Sequence, residues 1–536
     1  MSKTPAPGST DRGATTHPAS THGATDRRWV GLGVLVLAVT LVAVDATVLS
    51  LALPSISETL RPSGTQLLWI GDSYSFVLAG LLVSMGALSD RVGRKRVLLV
   101  GSAAFGVASL LAAYAPGPGW LILARALLGV AGATIMPATL SLIRTLFPDA
   151  RERATAIGIW GAGATAGAAL GPLVGGLLLE HFWWGSVFLL NLPVLVLLLV
   201  LGAWLLPESR DPRPGRWDVL SVFLSMAGVI GVVYAIKELA AEGLHSWTVP
   251  VALVLGSAAL VAFVRRQLRL ETPLLDVRLF ADRRFTAAVV ASLTALIGLS
   301  GVVFFMSQYL QLVRGYAPLA AGVAEMPAFV GAVVGGLLTA RVVRRSGARA
   351  TLTAGLLAMG VGIGLLGFVR EDSGYLLLGV AFLAVGTAEG VVYTLASDLV
   401  LGASPAAKSG AASAVSETAY ELGTALGIAL VGSVVTALYS GAVTLPAGTG
   451  AAAAEQARQS IGGAVEVAGT LPGPLGEQLL AGARGAFVHG MNTAAWLAAG
   501  LLLASAALSW YLLRGRRGAA VPVPDHRADR EQQPVG

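Results

Sequence analysis

An all-α integral membrane fold is what this chain predicts, and three observations carry the prediction. Fourteen apolar stretches lie between Trp29 and Leu513, each near the roughly 20 residues that cross a hydrocarbon core at about 1.5 Å per residue. Charged residues are only 12% of the 536 and hydrophobic ones 55%, whereas soluble domains carry roughly 25% charge. Lysine and arginine are also segregated by loop. One set of alternate connections holds nearly all of them, while the other set has Arg61, Lys237, Arg314, Arg370, Arg458 and Arg484. Positive residues stay on the cytoplasmic side, so both termini are expected there and the number of spans is even.

The absence of cysteine excludes disulfides, thiolate metal sites and cysteine nucleophiles. A net charge of +7 is no nucleic-acid signal here, because the basic residues follow the loops. His181, His245 and His489 lie on outer loops or helix ends and form no metal cluster. No enzyme activity, cofactor, metal or nucleic-acid partner is therefore expected. The segment Gly402–Ser409 resembles a phosphate-binding loop only in part, since no glycine precedes Lys408 and a membrane helix leads into it. An ion gradient is the expected energy source.

In chain order, residues 1–28 are rich in Pro, Ser, Thr, Gly and His and read as a disordered cytoplasmic tail without a signal peptide. Spans are expected at 29–54, 66–88, 97–115, 119–143, 154–179 and 183–206. A Pro- and Arg-rich cytoplasmic linker, 208–216, follows. The next spans fall at 217–236, 248–268, 285–311, 318–340, 350–369, 375–399, 409–438 and 487–513, ahead of a cytoplasmic tail at 514–536. The outer segment 440–486 is too polar to cross and suits either a short helical hairpin or a flexible connector.

Several motifs rise above this pattern. Gly86-Ala-Leu-Ser-Asp90-Arg91-Val-Gly93-Arg94-Lys95 joins spans two and three, with glycines permitting a tight turn and Asp90 at a helix end. A degenerate copy without the aspartate occupies the expected loop Gly336–Arg349. Span five carries Gly163, Gly167, Gly171 and Gly175 at every fourth position, a smooth stripe for close helix packing, with Pro172 and Gly176 beside it. Such a stripe also serves purely structural packing. Arg125 stands in span four with Gly129 and Gly132, either snorkelling to the interface or lowering the cost of a nearby carboxylate charge.

The acidic residues inside spans matter most, because each ionisable group there costs about 2.5–3.5 kcal/mol on insertion scales and marks an ion or substrate path. Asp45 lies in span one, within Asp45-Ala-Thr47-Val-Leu-Ser50-Leu-Ala-Leu-Pro54, and Asp72 near the outer end of span two, where it alternatively only faces water. Glu325 stands in span ten, Glu389 in the middle of span twelve, and Glu417 and Glu421 one turn apart in span thirteen. Two anions on one face repel, so that pair is expected to share a proton. A structural role, tied to a neighbouring helix, is the alternative for each. Asp398, at the cytoplasmic end of span twelve, is expected to be merely solvated.

Together these motifs resemble the major facilitator superfamily, and within it the fourteen-span drug:proton antiporters, over nearly the whole chain after the N-terminal tail. Ser50 replaces the asparagine usual in that group's span-one element. The resemblance implies two six-helix bundles, 29–207 and 285–513, with 217–268 as an extra pair. It implies that the Asp90 loop latches the two halves, that Arg125 takes part in proton coupling, and that the span-five glycines belong to an antiporter motif. The expected function is proton-coupled export of lipophilic cations, such as quaternary ammonium drugs, from the bacterial plasma membrane. Export of one neutral or anionic antibiotic, or uptake by proton symport, are the alternatives. The expected partners are lipid, protons and small amphiphilic substrates, and the protein is expected to be a monomer.

Overall fold

A computed structural model gives the fold, described over residues 21–62, 64–210, 218–242, 247–271, 273–316, 318–405, 408–446 and 449–514. Among the described residues there is no strand. The first bundle contains α1 (Thr21–Leu60), α2 (Gly64–Val92), α3 (Arg94–Ala113), α4 (Pro118–Leu146) and α5 (Ala150–His181). Its sixth crossing is α6 (Ser186–Leu189) continued by α7 (Asn191–Leu205). An extra pair follows, α8 (Val219–Glu242) and α9 (Thr248–Arg269). The second bundle holds α10 (Arg283–Gln308), α11 (Pro318–Leu366), α12 (Tyr375–Ala403), α13 (Ser409–Ala442) and α16 (Gly473–Leu512), with the short α14 (Ala451–Gln459) and α15 (Ile461–Thr470) between the last two.

Thirteen described helices are long and apolar enough to cross a membrane. The chain nevertheless makes fourteen crossings. At 49 residues, α11 is far longer than the roughly 20 that a bilayer needs. It holds two crossings that meet at Gly347, which alone leaves helical geometry (φ 78°, ψ 159°). The expected loop at Gly336–Arg349 is thus corrected to helix, bent at a glycine whose missing Cβ permits a positive φ.

The start of α1 also differs from expectation. The helix begins at Thr21 rather than near Trp29, because its first turns are anchored. Arg28 pairs with Glu152 at 3.1 Å, and the Trp29 ring lies 4.9 Å from that of Phe147. The rest of the expected tail, most of the linker (211–217) and residues 515–536 lie outside the described residues.

Each bundle has its own apolar core. Leu35, Phe105, Leu128, Phe147 and Phe188 fill the first, and Tyr309, Met359, Phe382 and Leu502 the second. At the seam α5 lies against α11 and α12, while α2 and α4 lie against α13. Gly158 and Gly336 bring two backbones into contact there, and a Cβ on Gly158 would meet the Gly336 carbonyl carbon at 3.0 Å. The extra pair is not peripheral to this seam. Val229 and Val233 of α8 pack on Phe76 and Ala79 of α2 with Leu422 of α13 alongside, and the Ser84 and Ser225 hydroxyls are 3.3 Å apart.

Local capping sets several helix starts. Asp149 caps α5 by accepting from the Arg151 and Glu152 amides at 2.9 and 3.1 Å, and these bonds hold its carboxyl below the usual range. Ahead of α8, Asp218 accepts two bonds from Arg266, at 2.6 and 3.0 Å, which hold its carboxyl at about 2.

Residues 440–446 and 449–486 are folded. Tyr439 donates to the Ala457 carbonyl at 2.8 Å, and Ile461, Ala464, Val467, Leu479 and Ala483 are buried on the second core. Helices α14, α15 and the leading turns of α16 form a cap, so the hairpin alternative, not the loose connector, describes this segment.

Candidate transport site

On the face where the arginine-rich loops gather, three sets of bonds join the bundles. The Asp90 carboxylate accepts from the Gly410 and Ala411 amides at 2.9 and 3.1 Å, capping α13 across the seam. A negative charge suits that helix start, where free N–H groups and the helix dipole converge. Arg94 bonds Asp90 at 2.9 Å and also donates to Thr145 at 3.0 Å and Ser209 at 2.8 Å. Gly86 faces Gly410 with no room for a side chain, and Gly93 adopts φ 126° with the Glu208 carboxylate against it. Arg91 is exposed.

Two further ties lie beside this one. Arg144 of α4 donates to the Leu401 carbonyl and to the Ser404 carbonyl at 2.7 Å, at the end of α12. Arg153 of α5 pairs with Asp398 at 2.7 Å. The expectation that Asp398 is merely solvated is corrected: a guanidinium of the other bundle neutralises it.

Within the first bundle, Asp45 is fully buried and meets Arg125 at 3.2 Å. Its other oxygen accepts from the Asn191 amide at 2.8 Å, and Asn191 donates onward to Ser109 at 3.1 Å. The Arg125 Nε reaches the Ile70 carbonyl at 3.3 Å, and the guanidinium lies over the Tyr74 ring at 4.6 Å. A lone buried charge is prohibitively costly, so each charge here offsets the other. Snorkelling of Arg125 to the interface does not occur. The side chain of Asp72 lies outside the described residues.

The second bundle treats its acids differently. Glu417, 3% exposed, accepts from the Tyr393 hydroxyl at 3.1 Å. The Tyr420 ring meets that of Tyr393 edge-on at 5.1 Å. Glu389 lies within electrostatic range of both tyrosines, and Glu421 within range of Tyr420. Three of the expected acids are thus brought together. Glu325 is not: it is half-buried on α11, and one carboxylate oxygen finds no hydrogen-bond partner among the described residues.

The span-five glycines face α1. A Cβ on Gly163 would meet Val36 at 2.5 Å, one on Gly167 the Thr40 carbonyl at 2.6 Å, and one on Gly171 the Thr47 hydroxyl. The stripe therefore seats α5 directly on the helix that carries Asp45, and Gly175 is buried too. Gly176 points into open space. The helix runs unbroken through Pro172, whose side chain is outside the described residues.

Sequence reasoning missed Asn191, Ser109, Tyr393 and the Arg153–Asp398 tie. An asparagine within the apolar run Leu189–Leu195 was the available signal for the first of these, since a buried amide must find partners.

Comparison with known proteins agrees with this arrangement. The family model described as Major Facilitator Superfamily matches residues 35–428. The multidrug efflux pump LfrA of Mycolicibacterium smegmatis is 48% identical over 491 residues, covering 92% of this chain and 97% of its own. The methyl viologen resistance protein SmvA of Salmonella typhimurium is 38% identical over 490 residues, covering 91% and 98%. The human organic anion transporter MFSD10 (TETRAN) shares the fold, with a TM-score of 0.61 at 16% identity over 90% of this chain and 99% of that one. The chain belongs to the major facilitator superfamily and is a multi-pass membrane transporter.

Proposed function

We propose that this transporter exports lipophilic cations, including quaternary ammonium drugs, in exchange for protons by alternating access. The observation that carries the reading is the grouping of Glu389, Glu417 and Glu421 around Tyr393 and Tyr420, beside a seam that named ties close on one face. A buried carboxylate met by a neutral hydroxyl, as Glu417 is by Tyr393, attracts a cationic cargo or a proton, and each displaces the other. Relatives described as a multidrug efflux pump and a methyl viologen resistance protein support export over uptake.

The arginine-rich face lies in the cytoplasm of a bacterial cell, with both termini there, and the protein works as a monomer in the plasma membrane. The Asp90, Arg144 and Arg153 ties then close the cytoplasmic side, as befits an arrangement that faces outward. Opening that side admits cargo from the cell or the inner leaflet, and cargo displaces protons from the carboxylates. Closing it returns the site to the outside, where protons displace cargo. Moving more protons inward than cargo charges outward draws on the membrane potential, worth about 2.3 kcal/mol per charge per 100 mV.

Purified protein in proteoliposomes tests the reading directly. An imposed pH gradient is expected to drive ethidium movement, and a protonophore to abolish it. Absence of gradient-dependent movement for every amphiphilic cation tried would overturn the proposal.

A further inference from the structure

Tyr393 does more at the seam than hold Glu417. Its ring covers Gly161 of α5, where a Cβ would come within 3.5 Å of it, so the absence of a side chain leaves the ring its place. It also lies parallel to the Trp160 indole of α5, with an interplanar angle of 12° and centroids 6.1 Å apart. This is an offset aromatic stack between the two bundles, within the separation at which such pairs attract. Trp160 is fully buried, yet its indole N–H has no hydrogen-bond partner among the described residues. Stacking and burial position that ring, with no hydrogen bond to tether it.

We infer that the Trp160–Tyr393 stack is a placeholder for cargo: when the bundles part, a planar aromatic cation takes the indole's place on Tyr393. The proposal rests on the export reading above and names the substrate class that its site prefers. Separation of α5 from α12 uncovers the Tyr393 face that Gly161 and Trp160 now occupy. A flat cation laid there has a π surface beneath it and the edge of Tyr420 beside it. The carboxylate bonded to Tyr393, Glu417, stands next to it to balance the charge. Cation–π attraction and stacking both need the ring, not its hydroxyl. A tetrahedral cation has no single extended plane to lie along the Tyr393 ring and gains less from the slot.

The test compares ethidium, which is planar, with tetraphenylphosphonium, which is not, in proteoliposomes under a fixed pH gradient. Replacing Tyr393→Leu is expected to raise the half-saturating ethidium concentration about tenfold while leaving tetraphenylphosphonium within about twofold. Tyr393→Phe keeps the ring and is expected to preserve the preference. Trp160→Leu, which removes the competing indole, is expected to lower the ethidium value. Should Tyr393→Leu not yield folded protein by size-exclusion chromatography, Trp160→Leu decides alone. A Tyr393→Leu protein that keeps the wild-type ratio of the two cations overturns the inference, and so does a Trp160→Leu protein that handles ethidium less well. Wild-type protein that moves neither cation overturns the export reading instead.

Discussion

Away from the ties at the arginine-rich face, both halves of the molecule bury carboxylates but neutralise them by opposite means. In the first bundle Asp45 is closed in by Arg125, Asn191 and, through Asn191, Ser109. In the second, Glu417 is met by a tyrosine hydroxyl, and among the described residues no ion pair includes Glu325, Glu389 or Glu417. A charge with a fixed counter-charge holds a structure together, because removing either partner strands the other. An acid met only by neutral donors stays available to exchange a proton or a cation. On the proposed export reading, the first half positions and the second exchanges.

That contrast can be broken by mutation. The largest expected effect is Arg125→Leu, which leaves Asp45 buried without its cation. A loss of about 3–5 kcal/mol in stability is expected, read as a fall in thermal unfolding temperature, with transport abolished. Asn191→Leu comes next. It removes a bond to Asp45 and is expected to cost about 1–3 kcal/mol while expression and fold persist.

Glu417→Gln sharpens the comparison from the other side. The amide still accepts from Tyr393, so stability is expected to change by less than about 1 kcal/mol, while proton-driven ethidium transport falls sharply. An unfolding temperature lowered as far as in Arg125→Leu would show that Glu417 is structural, and the contrast would fail.

The smallest effect belongs to Asp218, beside the extra helix pair. Its folded-state carboxyl is held at about 2, below the ordinary 3.8, by bonds from Arg266. The stabilisation from this pair is therefore complete above about 4 and is lost only as pH falls through about 2. Unfolding temperature measured between about pH 5 and pH 8 is expected to show no pH dependence from it, and Asp218→Asn to transport as wild type.

Much of this was legible in the sequence because membrane physics writes it locally. Apolar length located the crossings, and the Gly86–Arg94 pattern singled out the Asp90 loop without any knowledge of the helix start it bonds. The stripe from Gly163 to Gly171 announced close packing, though not that α1 is what it packs on. Partnership was the illegible part. Asp398 finds Arg153 across a separation of 245 positions, and Asn191 finds Asp45 across 146, so no local spacing betrays either. The polar run Arg341–Arg349 read as a loop because charge usually ends a span. Here the helix outlasts the apolar stretch and merely bends at Gly347.

One feature of the extra pair bears on how a greasy solute reaches the interior. Helix α8 lies along the line where α2 meets α13, so that edge of the seam is shuttered by protein. The other edge closes differently: there α5 and α11 touch through bare glycine backbone at Gly158 and Gly336. The seam is thereby lopsided toward its lipid surroundings, with one flank walled by an added helix and the other pressed shut by bare backbone.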